Sequence, residues 1–218
     1  MINIDSILGS GPPYDIDRMA YLATAIECYL YAREHMVGTP RFADRHELLD
    51  FAIGKAPAEG LVLEFGVFSG STVNQIADRL PDKTIFGFDS FEGLPEDWTP
   101  GAPTGHFKRK DLPAVGENVE LVVGYFDAVL PRFLSTHADP VAFIHIDCDL
   151  YFSTQTVLSQ LRDRIISGTV IVFDEYFNYP EWRFHEFRAF QEFVSQGRIK
   201  YEYIGLAPNF EQVAVRIM

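Results

Sequence analysis

Cysteine is scarce in this chain: 2 in 218 residues, Cys28 and Cys148. They make no metal-ligand spacing and are too few for a disulfide framework. Basic residues are also short, with 18 Lys and Arg against 31 Asp and Glu and a formal charge of −13. Such a chain is a poor partner for a polyanion, which argues against nucleic acid and an anionic membrane surface. The one basic cluster, Lys108-Arg109-Lys110, is too short to line a groove. Long apolar runs are missing too, since none approaches the roughly 20 residues of a membrane-spanning helix. Residues 1–5 carry acid and no basic stretch, which predicts no signal peptide. There is no internal repeat and no low-complexity tract. Together these absences predict a soluble, cytoplasmic protein.

What is present is a folded composition, 47% hydrophobic and 22% charged. The length fits one domain, with residues 1–55 as an N-terminal helical segment of it and 56–218 as its body. Met19, Leu22, Ala23, Ile26, Tyr29 and Leu30 stand at helical spacing, with Asp15 or Asp17 as caps. Gly38-Thr39-Pro40 breaks that helix, and residues 46–53 predict a second, short one. Short apolar strands are predicted at 61–65, 84–89, 119–123, 141–147 and 169–174. Three helices are predicted among them: 73–80, one capped by Asp127, and one capped by Ser153 or Thr154 that runs to Ile165. Phe184, Phe187, Phe190 and Phe193 recur at every third position and define one helix face, read as core or subunit interface. Residues 200–204 and 212–217 read as a closing hairpin.

Continuous apolar strands that alternate with helices are the mark of a sheet buried on both faces. The predicted fold class is therefore α/β. It is a Rossmann-like, mostly parallel central sheet flanked by helices, with a C-terminal antiparallel hairpin. Ligands in such folds bind beyond the carboxyl ends of the strands. Four of the predicted strands end in polar residues: Glu64 with Gly66, Asp89, Asp147 and Asp174.

Glu64-Phe65-Gly66-Val67-Phe68-Ser69-Gly70-Ser71-Thr72 joins the first strand to its helix. Gly66 and Gly70 permit a tight turn and close approach of a ligand. Asp89, at the end of the next strand, suits a pair of ribose hydroxyls. The plainer reading is a tight strand-to-helix turn and nothing more. Strand, turn, helix and acidic strand end in register favour an adenosine-type ligand. Phe68 stands where a dinucleotide fingerprint has the glycine that admits a pyrophosphate, which argues against a dinucleotide or a triphosphate.

His145-Ile146-Asp147-Cys148-Asp149-Leu150-Tyr151 and Phe173-Asp174-Glu175-Tyr176 end two strands that would lie side by side. Asp147, Asp174 and Glu175 could then offer oxygens to one hard cation, with Mg²⁺ the plausible ion. Asp149 shares the parity of Asp147 and could act as general base on an acceptor hydroxyl. Against this stands the alternative that acids at strand ends cap helices or sit in water. His145 reads as a hydrogen-bonded core histidine, and His106 and His185 as surface residues. The loop 91–111 reads as a lid over the site or a solvated excursion.

These motifs, with Phe88-Asp89-Ser90-Phe91-Glu92-Gly93-Leu94-Pro95, resemble the macrocin O-methyltransferase family over about residues 61–193. Those are class I S-adenosylmethionine-dependent enzymes that methylate sugar hydroxyls of natural products. The resemblance implies that Glu64, Gly66 and the Ser69-Gly70-Ser71 turn contact the methionine part of the cofactor. It implies Asp89 at the ribose and Phe126 and Asp127 near the adenine. Asp147, Asp174 and Glu175 become magnesium ligands, and Asp149 the base. One departure is Glu175, where the family has a second aspartate. The acceptor implied is a small molecule with a hydroxyl, a sugar by family habit, and the chain could form a homo-oligomer. Three other classes fit parts of the pattern. A glycosyltransferase would use Asp147-Cys148-Asp149 as a metal-binding motif but leaves Glu64, Gly66 and Asp89 without a role. A dinucleotide oxidoreductase conflicts with Phe68. A non-catalytic nucleoside-binding protein would keep the pocket and transfer nothing.

Overall fold

The computed structural model describes residues 15–218. The reading of residues 1–5, and residues 1–14 of the N-terminal segment, fall outside the described residues. Helix α1 (Ile16–His35) starts at Asp15, whose side chain accepts the Asp17 and Arg18 N–H groups. Helix α2 (Arg45–Ile53) is capped in the same way by Asp44. Each cap satisfies donors that the first turn leaves unpaired. The body then alternates: β1 (Leu61–Phe65), α3 (Ser71–Arg79), β2 (Ile85–Asp89), β3 (Val119–Val123), α4 (Phe126–Thr136), β4 (Val141–Ile146), α5 (Tyr151–Gln160) and β5 (Val170–Phe173). A 3-10 turn (Trp182–Phe184), α6 (Glu186–Gly197), β6 (Tyr201–Leu206) and β7 (Val213–Ile217) complete it.

The seven strands form one sheet in the order β3-β2-β1-β4-β5-β7-β6. The first five run parallel, while β7 is antiparallel to both β5 and β6. The predicted architecture is therefore the observed one. Alternate residues of the buried strands feed two cores. Leu63, Phe65, Ile144 and Phe173 pack with residues of α4, α5 and α6. Val62, Phe143, Val170 and Val172 pack with α2 and α3.

Several local expectations are corrected. Asp127 lies in the first turn of α4, and the cap position belongs to Tyr125. Ser153 and Thr154 are inside α5, which starts after Leu150 and ends at Gln160, short of Ile165. In α1 the buried positions are Thr24 and Cys28, whereas Ile26, Tyr29 and Leu30 face solvent. The helix docks through Cys28, Ala32 and the Tyr31 ring, which meets Trp182 and Phe187 edge-on. Tyr31 and Tyr203 share a hydroxyl hydrogen bond of 2.6 Å, and Tyr176 bonds Tyr203 at 2.7 Å. Phe187, Phe190 and Phe193 are core residues, while Phe184 sits on the 3-10 turn and is exposed.

Candidate active site

The switch point of the sheet lies between β1 and β4, where successive connections leave in opposite directions. A cavity of about 760 Å³ opens beyond these strand ends. One side of it is the turn after β1. Gly66 has φ +94°, and a Cβ on it would lie 1.6 Å from the Asp147 carbonyl oxygen. Only glycine lets the turn and the end of β4 pass at that distance. Asp89 then ties the turn down. Its Oδ2 accepts the Val67 and Phe68 N–H groups at 3.0 and 2.8 Å, and Oδ1 accepts Phe91 N–H at 2.7 Å. Oδ2 spends both lone pairs on the turn, and Oδ1 keeps its second one for a ligand hydroxyl.

The other side of the cavity is acidic. Asp147, Asp149, Asp174 and Glu175 all line it. Asp149 holds φ +61°, an uncommon backbone state for any residue but glycine. Burial, then the charges of Asp174 and Asp89, push its carboxyl up to about 7. Burial and Asp174 also push Asp147 well up, and burial and Asp174 do the same to Glu175. Acids crowded this way are short of positive charge. Glu175 Oε2 is buried with no hydrogen-bond partner. The side chains lining this wall are carboxylates, hard oxygen donors that a divalent cation fits.

A line of alternating charge runs behind the cluster. His145 Nδ1 and Glu64 Oε1 are 2.9 Å apart on directly paired positions of β4 and β1. His145 Nε2 lies 3.6 Å from Asp174 Oδ1, and Arg45 donates to Asp174 Oδ2 at 3.2 Å. Burial pulls the imidazole down, but Asp174 and Glu64 outweigh it and raise it to about 10. Burial raises Asp174, yet His145 and Arg45 overcome this and hold it below the usual carboxylate range.

The sequence-predicted residues divide accordingly. Gly66, Ser69, Asp89, Phe126, Asp127, Asp147, Asp149, Asp174 and Glu175 meet at the one cavity. Glu64 does not line it, because its carboxylate turns into the sheet to meet His145. Gly70 serves as the left-handed residue before α3, and Ser71 faces a separate small polar depression with Asn74 and Gln75. The tightest potential ligand set among the described residues is His145, Asp147 and Asp174, with ligand atoms within 4.8 Å of one another. Glu175 stands outside that set. His145 is indeed a buried, hydrogen-bonded histidine, but it also borders the acids. His185 is half-buried, not at the surface.

Loop 91–111 supplies part of the lining through Gly93, Leu94, Pro95, Trp98 and Phe107. Phe107 meets Phe68 edge-on at 5.3 Å, so the loop touches the bulky residue of the turn, which stays exposed. Two residues escaped the sequence reading. Arg45 comes from α2, far along the chain from the acid it pairs with. Glu186 is the other; helical spacing from Phe190 and Phe193 places it on the buried face of α6, a signal that was there to be read.

The family described as a methyltransferase domain matches residues 63–176, from β1 to just past β5. That stretch is more than half of the chain and holds both the turn and the acids. The chain belongs to this methyltransferase family. Membership replaces the glycosyltransferase and dinucleotide oxidoreductase alternatives. A curated relative, demethyldecarbamoylnovobiocin O-methyltransferase of Streptomyces niveus, is 25% identical over 171 residues, 66% of this chain. The chain spans 63% of the length of that relative. Among solved structures, the calicheamicin methyltransferase CalS11 is similar with a TM-score of 0.64 at 20% identity, over 99% of this chain and 97% of that one. An O-methyltransferase from Bacillus cereus, crystallised with SAH, gives 0.54 at 15% identity over 99% and 94%. These likenesses establish the methyltransferase fold. No helix among the described residues is long and apolar enough to cross a membrane.

Proposed function

We propose that this methyltransferase moves a methyl group from S-adenosylmethionine to a hydroxyl of a sugar or sugar-bearing small molecule, with Mg²⁺ bound beside the acceptor. The observation that carries the reading is one cavity with a nucleoside-type turn on one wall and four carboxylates on the other. The curated relative, named as an O-methyltransferase, and the presence of SAH in a structural neighbour support it. Bound cofactor would supply an electrophilic methyl on sulfur, and a cation held by Asp147, Asp174 and Glu175 would lower the pKa of a neighbouring hydroxyl.

The chain's own residues do the rest. Asp89 offers the free lone pair of Oδ1 to a ribose hydroxyl, and Phe126 and Asp127 lie at the adenine end. Gly66 and Ser69 pass along the methionine part without a bulky side chain in the way. Phe68 closes the space a pyrophosphate would need. Asp149 accepts the acceptor's proton at a carboxylate oxygen, for which a pKa near 7 is well matched. Trp98 and Phe107 exclude water from the reacting groups. Much of the acceleration comes from positioning.

Asp147→Ala is the test. It is expected to abolish methyl transfer in a screen of glycoside acceptors and to leave S-adenosylhomocysteine affinity, measured in chelator, within about twofold of the wild type. Full transfer by the variant, or by wild type in excess chelator, overturns the metal role. Calorimetric binding of S-adenosylhomocysteine with no transfer to any acceptor favours a non-catalytic binding protein.

A further inference from the structure

Glu186 has no part in the reading above, and it does not line the cavity. It sits in the first turn of α6 with an exposure of 0%. Its Oε1 accepts the Cys148 N–H at 3.4 Å, and its Oε2 accepts the Glu175 N–H at 3.2 Å. Those two N–H groups belong to the peptide units that directly follow Asp147 and Asp174. One carboxylate therefore bridges the ends of β4 and β5 at the two points from which the acids project.

The 147–148 peptide is held from its other edge as well. Its carbonyl oxygen occupies the space that a Cβ on Gly66 would need. Two residues on, Asp149 keeps its left-handed backbone and Leu150 N–H closes a turn onto Cys148 O at 2.6 Å. Such a backbone persists only where its surroundings over-determine it. Packing does not account for an acid at position 186. The neighbours on that face, Phe187, Ala189 and Phe190, are apolar. A carboxylate buried close to Asp149, Asp174 and Glu175 is also unfavourable through like charge. What an apolar side chain could not do is accept one N–H from each acid-bearing loop.

We propose that Glu186 is a positioning residue, whose carboxylate sets the spacing between the Asp147 and Asp174 loops and thereby the site's hold on a divalent cation. This rests on the reading of those two acids as cation ligands, and the test separates the two claims. Mn²⁺ is titrated calorimetrically into wild type and Glu186→Gln, S-adenosylhomocysteine affinity is measured alongside, and amide hydrogen exchange at Cys148 and Glu175 is followed in chelator. Glutamine keeps the shape and one carbonyl acceptor but turns an N–H₂ toward the other amide. The expected result is Mn²⁺ affinity weaker by about tenfold or more, as for other groups that orient metal ligands. S-adenosylhomocysteine affinity, measured in chelator, should stay within about twofold, and one of the two amides should exchange faster. A variant that merely loosened the fold would weaken both ligands together, and that result overturns the proposal. Wild-type Mn²⁺ affinity in Glu186→Gln overturns it too, as does unchanged exchange at both amides. If wild type binds no Mn²⁺, the cation reading fails, and the exchange result alone decides whether Glu186 orders the loops. Should Glu186→Gln melt below the assay temperature, Glu186→Asp, which keeps both oxygens on a shorter arm, is put through the same measurements.

Discussion

His145 is the residue on which the buried charges balance. Glu64 stands on one side of it and Asp174, backed by Arg45, on the other. Its raised pKa has a stability consequence with a definite sign. The unfolded imidazole titrates at about 6.5 and the folded one at about 10. The stabilisation is therefore complete below 6.5 and is lost as pH rises through about 10. His145→Asn in chelator should cost about 3–5 kcal/mol at pH 6, since it leaves Glu64 buried and unpaired. The gap in thermal stability between variant and wild type should narrow toward pH 10.5; a constant gap in melting scans would contradict the charged imidazole. Gly66 makes a second test at this scale. Gly66→Ala should destabilise by at least about 3 kcal/mol in urea unfolding, from the positive φ plus the displaced Asp147 carbonyl. The acids themselves were legible, because strand ends are where such folds place chemistry. Arg45 and the pairing of Glu64 were not, because each depends on a partner brought in from a distant part of the chain.

Among the elements, the loop 91–111 resolves the choice between lid and excursion by where it lies, along the cavity wall. Backbone hydrogen bonds fold it on itself: Leu94 N–H to His106 O, Gly105 N–H to Leu94 O and Arg109 N–H to Phe91 O. Trp98 anchors its tip against Tyr179. Gly93 is the tight point, with φ +81° and the His106 carbonyl oxygen 2.4 Å from where a Cβ would sit. Gly93→Ala should spring the loop, seen as cleavage within 91–111 at low protease doses that leave the wild type intact. Wild-type resistance would show that the loop is held by its side-chain contacts alone. Strands were the clearest elements in the sequence, since four of the five parallel ones are buried, nearly unbroken apolar runs. Helix ends were less clear. α4 and α5 start without side-chain caps, so the Asp or Ser that marks each in the sequence, Asp127 and Ser153, lies past its true start. The face of α1 was misplaced for another reason, as Cys28, Ala32 and Tyr31, ring and hydroxyl, make its contacts instead of Ile26 and Leu30.

For the molecule as a whole, the charge of −13 is concentrated in part at the mouth of the sheet. A ligand that binds only the folded state raises stability by mass action. Mg²⁺ or Mn²⁺ at one hundred times its dissociation constant should therefore add about 2.7 kcal/mol. Scanning calorimetry should show the rise in wild type and none in Asp147→Ala, and an equal rise in both would place the cation elsewhere. Sheet order was predictable in class from the alternation of strand and helix. The neighbouring of β1 and β4 is what makes the site, and no local pattern announces it. That neighbouring also brings Gly66 against Asp147 with no room between them. The wall that takes the nucleoside and the wall that takes the cation are thus one mechanical piece. Filling either should change the free energy of filling the other, and reciprocity requires the two factors to be equal. Titrating Mn²⁺ with and without S-adenosylhomocysteine, and then the reverse, measures that single coupling constant from both directions.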